Sequence, residues 1–498
     1  MMKQIALCVV VAGSILAAAP VRVAAERSWV EVKSPHFTIV SNASDRSARE
    51  VAWQLEQVRG VMQRLWTWAR VDTPKPIVVF AVDDEASMRA LAPQFWEQKG
   101  GVRPASVFVE GADRYDVALR GDLKADDREG LNPYITAYWS YVALVLSSSL
   151  DRELPLWFQR GLAGVFSNTI VRDTSIQLGR VIPWHLRRLQ QGSRPPLREL
   201  LSVDRQSPWY TQGDRLDQFD AECWAFMHYL MFGDEGAHRT QLDRFMALLH
   251  AGRAPAGAVD EAFGNLNALQ SGFSAYFTRQ LYQYQRADVD TRTPREGFQV
   301  RSLAASESAS LRAAFHTAMR RPVEARAALE DARKADARSA ATYETEGILL
   351  EADDKRDDAR VAYAKAIELG SANFFAYYRL AALRWVPSAD SEALTSIRKS
   401  LEQSVALNDR FAPALGLLGE VNARLGRPDE ALTAATRAVS LDGNSVARRL
   451  SLARVFWSLS RPDEAESAAR RALEISRTDD ERRTVQELLD FFQKNRRP

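Results

Sequence analysis

Gly426-Arg-Pro-Asp-Glu430 and Ser460-Arg-Pro-Asp-Glu464 are one phrase written twice, 34 residues apart, and they decide the architecture of the C-terminal half. Proline followed by two acids is a helix start. The first turn does not need the N–H that proline lacks, and carboxylates suit the positive end of a helix. Each phrase leads into an alanine, Ala431 and Ala465. The same place is held earlier by Ala325, Ala359 and Ala393, so the steps along the chain are 34, 34, 38 and 34 residues. Twelve residues before each lie Ala313, Gly347, Ala381, Gly419 and Ala453, and seven after lie Ala332, Ala366, Ser400, Ala438 and Ala472. Two antiparallel helices cross closely only where side chains are small. A unit of this length must also stack on its neighbours to bury its remaining apolar face.

A 34-residue unit with small residues at these three places resembles the tetratricopeptide repeat. The resemblance implies an all-α solenoid of about five repeats over residues 311–498, ending in a capping helix from Asp479 with a charged outer face. It also implies a protein or peptide partner. The 38-residue step adds about one helical turn, which is expected to lengthen the helix beginning at Ser391.

Residues 26–290 read differently. Residues 29–32 and 37–41 are short strand-like runs, 45–70 has the period of a long amphipathic helix, and the apolar run Ile-Val-Val-Phe-Ala-Val82 reads as a buried strand. Residues 106–110 and 115–120 flank a Gly-Ala-Asp turn as a strand pair. From Asn132 onward the pattern is helical. The expected class is therefore α+β, strands then helices, followed by the solenoid. Residues 286–310 are polar and carry Pro294 and Gly297, so residues 291–310 are expected to be a linker open to protease.

Pro155-Leu-Trp157-Phe-Gln-Arg160-Gly-Leu-Ala163 resembles a segment of the peptidase-MA-like gluzincin metallopeptidases, where Glu stands in place of Arg160 as the third zinc ligand. Trp29-Val-Glu-Val-Lys-Ser-Pro-His36 and Phe219-Asp-Ala-Glu-Cys-Trp224 resemble the opening strands and a later helix of that group, so the likeness spans roughly residues 28–285. In those enzymes a His-Glu-x-x-His motif precedes the third ligand. Transferred to this chain, its two imidazoles fall on Ala137 and Tyr141 and its general base on Tyr138. None of these residues, nor Arg160, can do that work: alanine has no donor, a phenol is neutral at pH 7, and a guanidinium repels a metal. The resemblance implies a peptidase-like domain without its zinc site, with no catalytic, metal or cofactor residue to assign. In this register Arg160 would stand where the metal was, facing Tyr138 and Tyr141, with Asp151 and Glu153 as nearby acids. A hydrolase or metallopeptidase with an unusual active site is the alternative.

Composition narrows the rest. Of 498 residues, 46% are hydrophobic and 26% charged, as in globular domains. Residues 1–25 carry Lys3, an apolar run too short for a comfortable span, and small residues at Val23-Ala-Ala25. That is the pattern of a signal peptide cut after Ala25 and of a periplasmic or secreted protein, with an uncleaved anchor as the other reading. Lys plus Arg is 66 and Asp plus Glu is 64; removing Lys3 and Arg22 leaves 64 against 64, which gives nucleic acid no general attraction. The same cut removes Cys8 and leaves Cys223 alone, so no internal disulfide can form. No phosphate loop, dinucleotide fingerprint or Gly-x-Ser-x-Gly elbow occurs, and no two of the six histidines have ligand spacing.

Overall fold

The computed structural model describes residues 28–97, 103–124, 130–149, 154–191, 194–276 and 282–496. The proposed signal segment, Asp151 and Glu153 lie outside them. The first strands are β1 (Val30–Lys33), β2 (Phe37–Ser41) and β3 (Ile77–Val82), with helix α1 (Asp45–Leu65) between β2 and β3. Ser44 caps α1 by accepting the Ser47 N–H. Short helices α2 (Glu85–Leu91) and α3 (Gln94–Glu97) lead to the hairpin β4 (Ser106–Glu110) and β5 (Tyr115–Arg120). Strand β2 runs parallel to β3 and β3 parallel to β5, while β4 is antiparallel to β5 at the edge and β1 antiparallel to β2.

Every residue of β3 is buried, because helices cover both faces of the sheet. Ile77, Val79 and Ala81 face the core built with α1. Val78, Phe80 and Val82 face a second core that includes Trp29, Met88 and Phe315. Phe315 belongs to the first helix of the repeat array, α13 below, so the array begins inside the N-terminal core.

The helical part that follows comprises α4 (Ile135–Ser147), α5 (Leu156–Ser167), α6 (Pro183–Gln191), α7 (Leu197–Ser202), α8 (Pro208–Thr211), α9 (Gly213–Phe232), α10 (Arg239–His250), α11 (Pro255–Phe263) and α12 (Leu266–Tyr276). It is not purely helical, as the sequence pattern suggested. A small antiparallel sheet of β6 (Ile170–Val171), β7 (Ser175–Leu178) and β8 (Gln285–Asp288) is woven into it.

The expected linker at 291–310 is also corrected. Strand β9 (Gln299–Ser302) pairs antiparallel with β1 and becomes the far edge of the large sheet, giving the order β4-β5-β3-β2-β1-β9. Its residues are all exposed, so no apolar alternation marked it; the ladder to β1 and the Arg301 bridges to Glu31 and Glu307 (both 2.8 Å) hold it instead. Helix α13 (Ala305–Ala318) starts two residues after β9.

The array continues as α14 (Pro322–Ala335), α15 (Ala340–Ala352), α16 (Arg356–Glu368), α17 (Phe374–Arg384), α18 (Ser391–Leu407), α19 (Ala412–Arg424), α20 (Pro428–Leu441), α21 (Val446–Ser458), α22 (Pro462–Ile475) and α23 (Asp479–Asn495). These are antiparallel helix pairs closed by α23. The small residues sit at the crossings: a Cβ on Gly347 would lie 2.6 Å from Tyr363, and one on Gly419 would lie 3.0 Å from the Ala431 carbonyl. The turn inside a pair takes a left-handed residue at Arg320, Asp354, Gly426 and Ser460, one place before the arginine or lysine that precedes the second helix. The third pair departs from the expected register. Ala393 is exposed, and Leu394 (3%) and Leu401 (0%) take the buried places held by alanine elsewhere. The four extra residues divide between the α17–α18 turn and the C-terminal end of α18.

The turns that join successive pairs face the N-terminal domain. Asn373 donates to Asp113 (2.7 Å), Asn408 to the Pro74 carbonyl (2.9 Å) and Arg410 to the Asp72 carbonyl (2.9 Å), while Arg70 reaches back to the Ser440 carbonyl. Fully buried Phe315 meets Phe80 edge-on at 5.2 Å. Phe315→Ala should therefore destabilise the whole chain by about 3–5 kcal/mol. Chemical denaturation followed by tryptophan fluorescence and by circular dichroism should still give coincident transitions. A loss confined to the helical signal would contradict the shared core.

Candidate functional site

Helices α4 and α5 carry the positions singled out by the peptidase resemblance. Their far ends are tied together: Asn168 Oδ1 accepts the Asn132 N–H (2.8 Å), and Asn132 Nδ2 donates to the Thr169 carbonyl (2.7 Å). Helix α5 lies tight on α9 because two of its residues lack side chains. A Cβ on Gly161 would stand 2.5 Å from the Cys223 carbonyl oxygen, and one on Gly164 would stand 3.2 Å from Trp224. This close approach sets Arg160, the residue before Gly161, beside Asp220, three residues before Cys223.

The two side chains form a two-point ion pair, with Nη2 donating to Oδ2 at 2.5 Å and Nε donating to Oδ1. Burial lowers the guanidinium pKa, but pairing with Asp220 outweighs it and the net shift is upward. Burial raises the Asp220 carboxyl, and Arg160 offsets only part of that rise. The Arg160 guanidinium also lies 5.3 Å from the Trp139 ring centre and 5.7 Å from that of Tyr210. Trp139 comes from α4, Tyr210 from α8 and Asp220 from α9, so these helices meet at Arg160.

Ala137, Tyr138 and Tyr141 are not part of this meeting, which corrects the expectation that Tyr138 and Tyr141 face Arg160. They are 1%, 1% and 4% exposed and turn toward the sheet and α1. The Ala137 N–H donates to Ser106 Oγ of β4 (3.2 Å), the Tyr138 hydroxyl reaches Gln54 Oε1 of α1 (3.5 Å), and Tyr141 packs edge-on against Phe37 of β2 (5.5 Å). Burial pushes both phenols up, away from ionisation. The reason is that α4 is apolar nearly all round, so its sequence does not say which face meets the sheet. The face open to Arg160 is the one bearing Trp139.

Asp220 had a readable signal. Asp220 and Glu222 are acids inside the apolar run Phe219-Asp-Ala-Glu-Cys-Trp-Ala-Phe-Met, and such residues need partners. Glu222 has one in Arg194 (2.9 and 3.1 Å).

Three of the histidines have defined partners. His228 is fully buried between the Tyr276 hydroxyl (2.9 Å) and the Gly179 carbonyl (2.8 Å), and burial lowers it to about 4. His185 stacks on Trp224 at 5.7 Å; burial, then the charge of Arg160, lowers it to about 4. His36 is exposed, and its Nδ1 is held by buried Glu56 (2.8 Å). Among the described residues no three His, Cys, Asp or Glu side chains converge as a metal site.

No protein family profile matches the chain, and no curated protein matches its sequence. Solved structures similar to it include tetratricopeptide repeat proteins. YrrB, described as a tetratricopeptide protein with an unusual peptide-binding site, is 18% identical; the match covers 36% of this chain and 90% of that one, with a TM-score of 0.30. MamA of Desulfovibrio magneticus RS-1 is 19% identical over 35% of this chain and 97% of its own, with a TM-score of 0.29. PilF of Pseudomonas aeruginosa is 14% identical over 39% and 86%, with a TM-score of 0.31.

Arg160→Ala leaves the Asp220 carboxylate buried without its cation. The pair is partly open to water, so the expected loss is about 1–3 kcal/mol, below that of a fully buried pair. Arg160→Met with Asp220→Leu should recover most of it in a double-mutant cycle by denaturant midpoints. Additive losses would show that the pair is not coupled.

His185 and His228 should remain neutral to pH 5 in NMR titrations of their ring protons. Each then contributes stability that is fully present above the ordinary value of 6.5 and is lost as pH falls toward about 4. A titration midpoint near 6.5 for either would contradict the packing described.

Proposed function

We propose that this chain is an exported, non-catalytic binding protein: a peptidase-like domain without metal chemistry, fused to a repeat array that engages a protein or peptide. The Arg160–Asp220 ion pair carries the reading. The resemblance puts a zinc ligand at Arg160, and a guanidinium held there by a carboxylate opposes a divalent cation on charge alone. Register along α4 does not matter here, because Ile135–Ser147 contains no histidine, cysteine, aspartate or glutamate to bind zinc or act as base. A mixed sheet with antiparallel edge strand β4 beside α4, and α5 packed against α4, supports the peptidase-like lineage.

The array supplies a second binding surface. A cavity of about 470 Å³ opens between α15, α17 and Ala112 of the N-terminal domain. Ile348, Phe375 and Tyr378 give it an apolar lining, and Arg379 crosses it in an ion pair with Glu351 that also receives the Tyr363 hydroxyl (2.9 Å). Aromatic surface with a few fixed polar groups suits a peptide segment. No described helix is long and apolar enough to cross a membrane.

Purified mature protein should carry less than about 0.1 zinc per chain and should not cleave a mixed peptide library. Elemental analysis showing one zinc retained through mild chelation, or peptide cleavage abolished by chelator, would favour the metallopeptidase instead.

A further inference from the structure

Where the C-terminal end of α1 meets α5, α9 and α10, a cavity of about 190 Å³ is lined by three aromatic rings. Trp66 and Trp68 stack at 5.9 Å, and Phe158 meets Trp68 at 6.2 Å. Met231 and Met246 add two polarisable sulfurs, which favour the edges of a ring. A cavity of roughly 150 Å³ admits one benzene ring, so this one takes a single aromatic side chain and little more. Helix α10 supplies one wall, with Arg239, Leu242, Asp243 and Met246 at the i, i+3, i+4 and i+7 places of one face. Met246 is buried while Arg239 and Asp243 are exposed, so the charged groups stand where the cavity opens to water.

Those charges are not paired off. Arg239 Nε donates to the Met231 carbonyl (2.8 Å), and among the described residues its two Nη groups have no partner. Asp243, one turn along α10, has none either. An adjoining cavity of about 300 Å³ shares Arg239 and Gln285 and adds Glu235, a carboxylate equally without a partner among the described residues. The backbone is shaped to this arrangement. Asp234, Glu235 and Gly236 take left-handed φ values of 47°, 62° and 83° in succession, which is costly for the two acids. A Cβ on Gly236 would stand 2.8 Å from Arg239 Nε, so glycine leaves that side chain its place. A carboxylic acid alone would meet two carboxylates here, and an amine alone would meet the guanidinium. A ligand that carries both signs beside one aromatic ring satisfies all of them.

We propose that this cavity binds a free aromatic amino acid as its zwitterion, with the ring among Trp66, Trp68 and Phe158, the carboxylate on Arg239 and the ammonium on Asp243. The site shares no residue with the Arg160–Asp220 pair or with the cavity of the array, so it stands whether or not the domain is catalytic.

The test is calorimetric titration of the full chain with L-phenylalanine, 3-phenylpropionate, phenethylamine and N-acetyl-L-phenylalanine. Saturable phenylalanine binding is expected, at least about tenfold tighter than that of the other three, each of which lacks one of the two charges. Arg239→Ala and Asp243→Asn should each weaken it at least about tenfold. Both residues are exposed, so both variants should fold, which circular dichroism checks. No phenylalanine binding up to about 10 mM, or binding that either variant leaves unchanged, overturns the proposal. N-acetyl-L-phenylalanine binding as tightly as phenylalanine assigns the cavity to a peptide C-terminus and also overturns it.

Discussion

Phe80 on β3 and Phe315 on α13 meet edge-on across a core that neither half of the chain completes alone. Strand β3 is apolar at every position because it has no solvent face: one side is closed by α1, the other by α2 and the first helix of the repeats. An uncovered sheet face with Val78, Phe80 and Val82 exposed would be an aggregation hazard. Much else follows from this closure. It fixes where the array starts and in which direction it departs. It thereby brings the later turns, at Asn373, Asn408 and Arg410, onto the 70–76 and 111–114 loops. Strand β9 then serves as the last edge of the sheet and the lead into α13, not as a tether.

The elements legible in the sequence are those whose burial repeats. The apolar run of β3, the strand pair around Gly111, and the small residues spaced along the array each mark a surface that must be covered in one particular way. The elements that were not legible are held by something else. Strand β9 has no buried residue and depends on a backbone ladder to β1, almost 270 residues away. The shift from Ala393 to Leu394 arises because extra residues split between a turn and a helix end, which spacing alone cannot apportion. The orientation of α4 was hidden for the opposite reason. Apolar residues surround it, and only the three-dimensional packing shows that Tyr138 and Tyr141 face the sheet while Trp139 faces Arg160.

At the candidate site, one ion pair between α5 and α9 organises the helices around it. A catalytic metal centre gathers negative or neutral ligands around a cation that is not part of the chain. Here the cation is Arg160, covalently part of α5, and one carboxylate from α9 balances it. Glycine at 161 and 164 brings the two helices close enough for that pairing, and the surrounding rings shield it. The result is an internally balanced ion pair held where α4, α5, α8 and α9 meet. Helix α4 carries no histidine, cysteine, aspartate or glutamate on any face. The array has a cavity of its own beside Ala112.

The sheet and the first repeat share one core, and native-state hydrogen exchange on the full chain tests that most directly. Amides of β3 and of α13 around Phe315 should exchange with the same, highest protection and respond alike to low denaturant, because both open only when the shared core opens. Protection of α13 that instead falls with that of α21 and α22, well below β3, would show that the repeats unfold independently and would contradict the account.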